Sequence, residues 1–324
     1  MKRTILTYTL LLCCCVLVGV PRARAEEELR FAYQNRIGDA VTIVAVSKNL
    51  FAAEGLHVKA MQFNNGPACA EALVTGGVDI ATMGDTAAVL SLTKDSTLRI
   101  LGSHGAGEQR HRIIVPQHNG IRHLTDLKGK RVAVKKGTST YGGFLALLAT
   151  HAIKPTELTI IDLDPGLMPE ALAAGSLDAF VASEPTPSQA ELRGGRALAH
   201  LGGMGNNYPL LLLAKTRTLD KRSWEMQKFF RALQRAERFI RQHPEETIAI
   251  LGKETGLPVA IARAAMERHS YHVQLDAPTM ASLHQIAAFL LEQKKIQQLP
   301  DIDGQSTDRF IENEPGADKD AHQP

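Results

Sequence analysis

Glu71-Ala72-Leu73-Val74-Thr75-Gly76-Gly77-Val78-Asp79-Ile80 returns 99 residues later as Glu170-Ala171-Leu172-Ala173-Ala174-Gly175-Ser176-Leu177-Asp178-Ala179. Each copy has the pattern of a helix end, a glycine that stops the helix, and an aspartate that leads into an apolar strand. Each copy also follows a short strand and a turn, at residues 58–66 and 158–166. Two copies of a strand–helix–strand unit predict an α/β fold with two similar lobes.

The first 25 residues have the pattern of a cleavable secretory signal peptide. Lys2 and Arg3 precede an apolar run from Ile5 to Val20, and Ala23-Arg24-Ala25 supplies a small-x-small cleavage pattern. The apolar run is shorter than the roughly 20 residues that a membrane-spanning helix needs. We therefore expect cleavage after Ala25 and a periplasmic location.

Cleavage changes the charge balance and leaves a single cysteine. Residues 1–25 carry four of the 37 basic residues and none of the 34 acidic ones, so the net charge falls from +3 to −1. Cys69 alone then remains, which excludes an internal disulfide and predicts a buried thiol. A near-neutral chain without a basic block gives no support for nucleic-acid binding.

Two glycine-rich stretches, 102–107 and 202–207, predict two crossings between the lobes. The expected divisions and helices follow from these crossings and from the apolar spacing. Lobe 1 is expected at 26–104 and 206–311, lobe 2 at 105–205, and a disordered tail at 312–324. An early helix is expected at 41–54. Late helices that pack on lobe 1 are expected at 223–242, 245–253, 258–268 and 278–293.

Segments of specific sequence flank the two repeats. Leu50-Phe51-Ala52-Ala53-Glu54-Gly55-Leu56-His57-Val58 precedes the first copy, and Asp126-Leu127-Lys128-Gly129-Lys130-Arg131-Val132-Ala133-Val134 precedes the second. In their order and spacing, the chain resembles the periplasmic substrate-binding proteins of ABC importers, in the nitrate/sulfonate/taurine/bicarbonate group. The resemblance implies the type II periplasmic binding fold, in which two α/β lobes joined by two crossings hold a ligand in the cleft between them. It also implies a small-molecule ligand, a membrane permease as partner, and no chemistry on the ligand. We expect a monomer.

Turns that follow the strands of lobe 1 provide candidate ligand-binding residues, because ligands of open α/β sheets bind beyond the carboxyl ends of the strands. Gln34 and Asn35 follow the first strand, and Asp85 and Thr86 follow the first repeat. His104 lies in the first crossing. We expect all five to contact the ligand.

Lobe 2 provides a second set of candidates. Thr138, Ser139 and Thr140 lie between a strand and a helix, where they offer hydroxyl groups and free backbone N–H groups. The N-terminus of a helix of this kind is a ready anion site. Tyr141 could cover the ligand, and Glu184 follows the second repeat.

Asp85 and Glu184 leave the class of ligand open. A carboxylate in a closed cleft repels a simple anion unless a cation lies between them. A zwitterion such as taurine would place its sulfonate on the helix N-termini and its ammonium near these carboxylates, unless Asp85 only caps its own helix. Arg36, Arg110 and Arg112 are candidate partners for an acidic ligand, although Arg110 and Arg112 are expected on an exposed crossing.

We therefore predict the solute-binding component of an ABC importer that captures a small sulfonate, a taurine-like compound, or another small anionic or zwitterionic solute. No cofactor, bound metal or catalytic residue is expected, because the chain carries no catalytic or nucleotide-binding motif. A ligand-sensing receptor and a metal-binding receptor are the alternatives. The second rests on histidines and a glutamate that lie near one another in the sequence, namely His104, Glu108, His111, His118 and His123.

Overall fold

A computed structural model of the protein describes residues 28–312. The expected signal peptide and residues 313–324 of the expected tail lie outside this range. Within it, no helix combines the length and the apolar character needed to cross a membrane.

Strands and helices alternate along most of the chain, and each β–α–β unit contributes to one of two sheets. The first part contains β1 (Leu29–Gln34), α1 (Ala40–Ser47), α2 (Leu50–Ala53), β2 (Val58–Phe63), α3 (Gly66–Val74), β3 (Ile80–Gly84), α4 (Asp85–Leu92) and β4 (Leu98–Gly105). The middle part contains β5 (His111–Pro116), β6 (Arg131–Val134), α5 (Ser139–Thr150), β7 (Thr159–Asp162), α6 (Met168–Ala173), β8 (Ala179–Ser183), α7 (Thr186–Glu191) and β9 (Gly195–His200). The last part contains β10 (Leu210–Lys215), α8 (Thr216–Lys221), α9 (Ser223–Gln242), α10 (Pro244–Thr255), α11 (Val259–Met266) and α12 (Ala277–Glu292).

The two sheets have the same plan. Lobe 1 contains the sheet β2-β1-β3-β10-β4, and lobe 2 contains the sheet β7-β6-β8-β5-β9. In each sheet the first three strands are parallel, and the fourth runs antiparallel to both of its neighbours. The antiparallel strand of each sheet follows a crossing, so the chain passes into lobe 2 through β5 and returns to lobe 1 through β10.

The crossings pair with each other between the lobes. Gly107 donates its N–H to the carbonyl oxygen of Asn207 at 2.9 Å, which joins the outgoing and the returning chain. Gly107 has a φ of 158°, and a Cβ at this position would collide with the carbonyl oxygen of Arg268. A side chain at residue 107 is therefore excluded by both the backbone conformation and the space.

The early helix differs from the expectation, whereas the late helices agree with it to within about two residues at each end. The predicted continuous helix at 41–54 is wrong, because Asn49 adopts a left-handed conformation with φ 53° and separates α1 from α2. Asparagine tolerates this conformation better than most residues with a side chain. The long helix α9 packs on lobe 1 as predicted, and the Phe229 ring lies edge-on to Phe31 with centroids 4.9 Å apart. Cys69 is buried, as predicted.

The repeated aspartates hold the same position in both lobes. Asp79 accepts hydrogen bonds from the backbone N–H and the guanidinium of Arg30, at the start of β1. Asp178 accepts the equivalent three from Arg131, at the start of β6. In each lobe the arginine also donates to the carbonyl oxygen of the glycine that ends the repeat helix. The sequence repeat thus encodes the aspartate of an ion pair that ties β1 in lobe 1, or β6 in lobe 2, to the end of the repeat helix.

Replacing these aspartates should destabilise the lobes unequally. Asp79→Ala should lower the free energy of unfolding by about 2–3 kcal/mol, because several charge-assisted hydrogen bonds are lost at a half-buried site. Asp178→Ala should cost about 1 kcal/mol, because the equivalent pair is more exposed to water. Arg30 lowers the pKa of Asp79, so its stabilising effect is present at neutral pH and is lost as the pH falls through that lowered pKa.

Urea unfolding of both variants at pH 7 and at acidic pH measures these differences. Asp79→Asn is the matched variant, since it keeps one acceptor oxygen and removes the charge. Equal losses of stability in the two alanine variants would contradict the assignment.

Candidate functional site

A small cavity lies between the lobes at the carboxyl ends of the parallel strands. Its volume is about 20 Å³, which is the space of a single water-sized sphere. The residues that line it come from both lobes and from the first crossing. They are Gln34, Arg36, Gly66, Pro67, Gly84, Ala87 and Leu210 on one side and Arg110, His111, Thr138, Ser139 and Thr140 on the other.

The lobes are closed around this cavity. A Cβ on Gly142 of α5 would lie 2.5 Å from Thr86 Oγ1 and 2.9 Å from Ile286 Cδ1, both of which belong to lobe 1. Polar contacts also bridge the cleft. Asn65 Nδ2 donates to Asp164 Oδ1 at 3.2 Å. Within residues 28–312 the two lobes are therefore closed on each other.

The N-terminus of α5 faces the cavity. Thr138 caps this helix, because its Oγ1 accepts a hydrogen bond from the Tyr141 N–H at 3.3 Å and donates to the Lys135 carbonyl at 2.7 Å. The hydroxyl of Ser139 is buried and has no hydrogen-bond partner. Tyr141 does not line the cavity, since it packs against the apolar core of lobe 2. Ser139 is thus the hydroxyl at this helix start that remains free to bind.

Arg36 and Arg110 both line the cavity and place positive charge there. Arg110 is only 2 % exposed, so the expectation of an exposed crossing residue is wrong. Its Nη1 donates to Ser183 Oγ at 2.9 Å and its Nη2 to the Tyr208 carbonyl at 2.8 Å, while Nε has no partner. Burial and the nearby charge of Arg36 lower the pKa of Arg110 to about 10, so it stays protonated at neutral pH.

Asp39 provides a negative charge behind the two arginines. It is fully buried, and its Oδ1 accepts hydrogen bonds from Thr82 Oγ1 at 2.6 Å and from the Gln34 N–H at 3.5 Å. Its Oδ2 has no partner. Burial raises the pKa of Asp39 to about 6, although the hydrogen bond from Thr82 and the charge of Arg36 act in the opposite direction. Asp39 is therefore a group whose charge changes near neutral pH.

His104 stands behind the cavity rather than in its wall. It is completely buried, and its Nε2 lies 3.8 Å from Asp39 Oδ1. Burial lowers the pKa of His104 to about 3, so the imidazole is neutral at pH 7. His111 is buried as well but lines the cavity, with its Nδ1 2.8 Å from Thr140 Oγ1.

The two carboxylates that left the ligand class open have protein partners. Asp85 accepts from the N–H and the hydroxyl of Thr86, and from Asn206 Nδ2 at 2.9 Å. Neither Asp85 nor Thr86 lines the cavity. Asp85 thus faces its own helix and the return crossing. This arrangement matches the alternative in which Asp85 caps its own helix and does not contact an ammonium group of the ligand.

The negative charge of Glu184 is balanced by arginine side chains. Its Oε1 lies 2.6 Å from Arg112 Nη2, and its Oε2 accepts from Ser188 Oγ at 2.8 Å. Arg268 of lobe 1 reaches the same carboxylate at 3.5 Å. Arg112 is 5 % exposed, so its expected exposure is also wrong. Glu184 and Arg112 form an ion pair outside the cavity.

A wider groove continues outward from the cavity. Arg36 lines both spaces, and the groove measures about 530 Å³. Asn35 lies in this groove, where its Nδ2 donates to the Glu254 carbonyl at 3.1 Å.

Across residues 28–312, no group of three or more His, Cys, Asp and Glu side chains is arranged to hold a metal ion.

Of the ten predicted ligand residues, four line the cavity and six do not. Gln34, Thr138, Ser139 and Thr140 belong to the first group, and Asn35, Asp85, Thr86, His104, Tyr141 and Glu184 belong to the second. Arg110 and His111 also line the cavity but were not among these ten, since Arg110 was only a candidate partner for an acidic ligand and His111 was considered only for a metal. The available signal was their position, because they stand between a glycine-rich crossing and the apolar residues of a strand.

Comparison with known proteins places the chain in a family. The profile described as NMT1/THI5 like matches residues 39–247. The periplasmic aliphatic sulphonate binding protein SsuA from Escherichia coli is 26 % identical, with a TM-score of 0.74, and the match covers 86 % of this chain and 97 % of SsuA. The taurine-binding periplasmic protein of E. coli K12 is 24 % identical over 292 residues, covering 83 % of this chain and 88 % of that protein.

A further solved structure supports the same fold. The alkanesulfonate-binding protein SsuA from Xanthomonas axonopodis pv. citri, bound to MOPS, has a TM-score of 0.79 at 24 % identity, covering 86 % of this chain and 98 % of that one. The predicted two-lobed periplasmic binding fold and the resemblance to sulfonate-type binding proteins are therefore confirmed. Because the family profile spans more than half of the sequence, this chain belongs to the NMT1/THI5-like family.

Proposed function

We propose that this protein binds a small organosulfonate in the interlobe cavity and delivers it to the permease of an ABC importer. One observation carries the choice of an oxyanion. Three buried polar atoms without partners, namely Arg110 Nε, His111 Nε2 and Ser139 Oγ, belong to residues that line the same cavity. Donors that are buried and unpaired cost free energy, so a ligand that accepts from them is strongly favoured.

The sulfonate group suits the cavity better than an ammonium group does. Asp85 and Glu184, the two carboxylates expected to pair with an ammonium, already accept hydrogen bonds from protein groups. In the outer groove, Asp164 lies 3.2 Å from Lys135 Nζ, which neutralises it. The sulfonate would bind at Ser139 and Arg110, and its organic substituent would extend past Arg36 into the groove.

Binding would proceed by closure of the two lobes. The 20 Å³ cavity is too small for a sulfonate group, so the lobes or the Arg36 side chain must move outward to admit one. Contacts from both lobes then stabilise the closed conformation, and the permease recognises that conformation. We further propose that the protein acts as a monomer after export to the periplasm.

Binding without catalysis fits the same residues. Cys69 is buried, and Ser139 Oγ has no hydrogen bond to a base, so neither is an activated nucleophile.

Isothermal titration with methanesulfonate, ethanesulfonate, taurine, sulfate and nitrate tests the proposed function. Tight binding of the alkanesulfonates supports it, and binding of only inorganic anions or of none would refute it.

Ser139→Ala should weaken sulfonate binding by about 1.5–3 kcal/mol, because one hydrogen bond to a charged ligand is lost. The melting temperature of the unliganded protein should not change, since this hydroxyl has no protein partner. Ser176→Ala is the matched control, because Ser176 is exposed in the turn that follows α6. Unchanged affinity in Ser139→Ala, measured by calorimetry, would remove this residue from the site.

Sulfonate affinity should rise as the pH falls through about 6, the raised pKa of Asp39. Protonation of Asp39 removes a negative charge near Arg36 and Arg110, which leaves more positive potential for the anion. If the bound ligand raises the pKa of Asp39 by about one unit, the affinity increases about tenfold. The buried imidazoles of His104, His111 and His269 do not contribute, because burial keeps their pKa values far below this range.

Asp39→Asn tests this pH dependence. The asparagine oxygen can still accept from Thr82 Oγ1, but the group no longer titrates. We expect a flat affinity profile between pH 5 and 8 in the variant, measured by titration calorimetry. A variant that keeps the wild-type profile would assign the titration to another group.

Gly84→Ala should prevent closure without disturbing lobe 1. A Cβ on Gly84 would collide with Ser139 of lobe 2, and its nearest neighbours all belong to that one residue. The affinity should fall about tenfold or more, because less of the protein can reach the closed state. Small-angle scattering should no longer detect compaction on addition of ligand. Ser176→Ala again serves as the control, since Ser176 is exposed and lines neither the cavity nor the groove, and equal behaviour of the two variants would contradict the closure model.

A further inference from the structure

We infer that His111 is a ligand-binding residue that donates from Nε2 to the third oxygen of the bound anion, with Thr140 as the residue that positions it. This inference rests on the proposed function and extends it to selectivity. It predicts a preference for anions with three acceptor oxygens over carboxylates, which have two.

The position of His111 supports a direct contact. The residue begins β5, is 1 % exposed, and lines the cavity together with Arg110 and Ser139. Its ring packs against Tyr208 with centroids 4.5 Å apart, which fixes the plane of the imidazole. Its Nε2 is buried without a hydrogen-bond partner. The imidazole in this position therefore has a buried polar atom that no described protein group satisfies.

Thr140 holds the imidazole in position through Nδ1 and is compatible with either tautomer. His111 Nδ1 lies 2.8 Å from Thr140 Oγ1, and a hydroxyl can either donate to this nitrogen or accept from it. An oxyanion in the cavity repels a lone pair on Nε2 and accepts a hydrogen bond from an N–H there. The bound anion therefore selects the Nε2–H tautomer, in which Thr140 Oγ1 donates to Nδ1.

The surroundings keep this donor neutral. Burial is the main cause that holds the pKa of His111 well below its usual range, and the charge of the preceding residue, Arg110, acts in the same direction. Arg36 adds a smaller effect from lobe 1, where His269 is also close but neutral at pH 7. On its remaining sides are the uncharged side chains of Thr140 and Tyr208. A neutral N–H adds a hydrogen bond without adding a third positive charge beside the two guanidinium groups.

Three donors then meet three oxygens. Arg110 Nε, Ser139 Oγ and His111 Nε2 can each donate to one oxygen of a sulfonate. A planar carboxylate has only two oxygens, so one of them must accept from two donors at once, and the geometry of those hydrogen bonds is poorer than with one oxygen for each donor. His111 thereby becomes a residue that determines selectivity between sulfonates and carboxylates.

Affinities of ethanesulfonate and propionate, compared between wild type and His111→Phe, test the selectivity. Phenylalanine keeps a ring against Tyr208 but removes the donor. We expect about a tenfold or greater loss of ethanesulfonate affinity and a smaller change for propionate, so that the ratio of the two affinities falls. His111→Gln should recover part of the ratio, because its amide nitrogen reaches the position of Nε2. His118→Phe is the control for an exposed histidine.

Nitrogen-15 NMR of histidine-labelled wild-type protein tests the tautomer directly and does not depend on a folded variant. We expect His111 to carry its proton on Nε2 in the ethanesulfonate complex, with a shift of that N–H signal on binding. A complex with the proton on Nδ1, an Nε2–H signal that ethanesulfonate does not move, or an equal loss of both affinities in His111→Phe would overturn the inference. If the wild type binds no ethanesulfonate at all, the proposed function fails together with it; if it binds but His111 does not respond, only this inference fails.

Discussion

The closed cleft depends on the buried guanidinium of Arg110. Its two terminal nitrogens donate to Ser183 at the end of β8 and to the Tyr208 carbonyl on the return crossing, so one side chain joins lobe 2 to both crossings. A buried cation is costly unless negative charge and hydrogen bonds compensate it. Asp85 and Asp39 provide part of that negative charge from lobe 1, and an anion in the cavity would provide more.

The two lobes share a plan but differ at the cleft. The Arg–Asp pairs at the start of β1 and β6 are equivalent, and both hold a strand to the end of its repeat helix. At the opposite ends of these strands the lobes diverge. Lobe 1 presents Arg36 with Asp39 behind it, whereas lobe 2 presents the start of α5 with the free hydroxyl of Ser139. The charged groups of one lobe thus face the hydrogen-bond donors of the other, which is a suitable arrangement for enclosing an oxyanion.

The candidate site was predictable from the sequence only in part. The loop at residues 138–140 could be identified because a strand, a run of hydroxyl residues and a helix follow one another in the sequence. Asp85 and Glu184 were placed correctly at strand ends, but their side chains turn to Asn206 and Arg112. Arg110 looked like an exposed crossing residue, because the sequence does not reveal that the other crossing covers it.

The sequence by itself determined the repeat, the two lobes and most helix ends, because these features depend on neighbouring residues. Gly76 and Gly175 end the repeat helices through positive φ values of 79° and 71°, which any reader of the chain can expect from glycine at that position. Tertiary structure decided which polar atoms remain free for a ligand. That choice depends on partners such as Asp85 and Asn206, which are 121 residues apart, and on lobes that meet only after the chain has folded. Hydrogen bonds between distant residues leave no periodic pattern in the sequence, so the unpaired donors of the cavity became visible only in the folded protein.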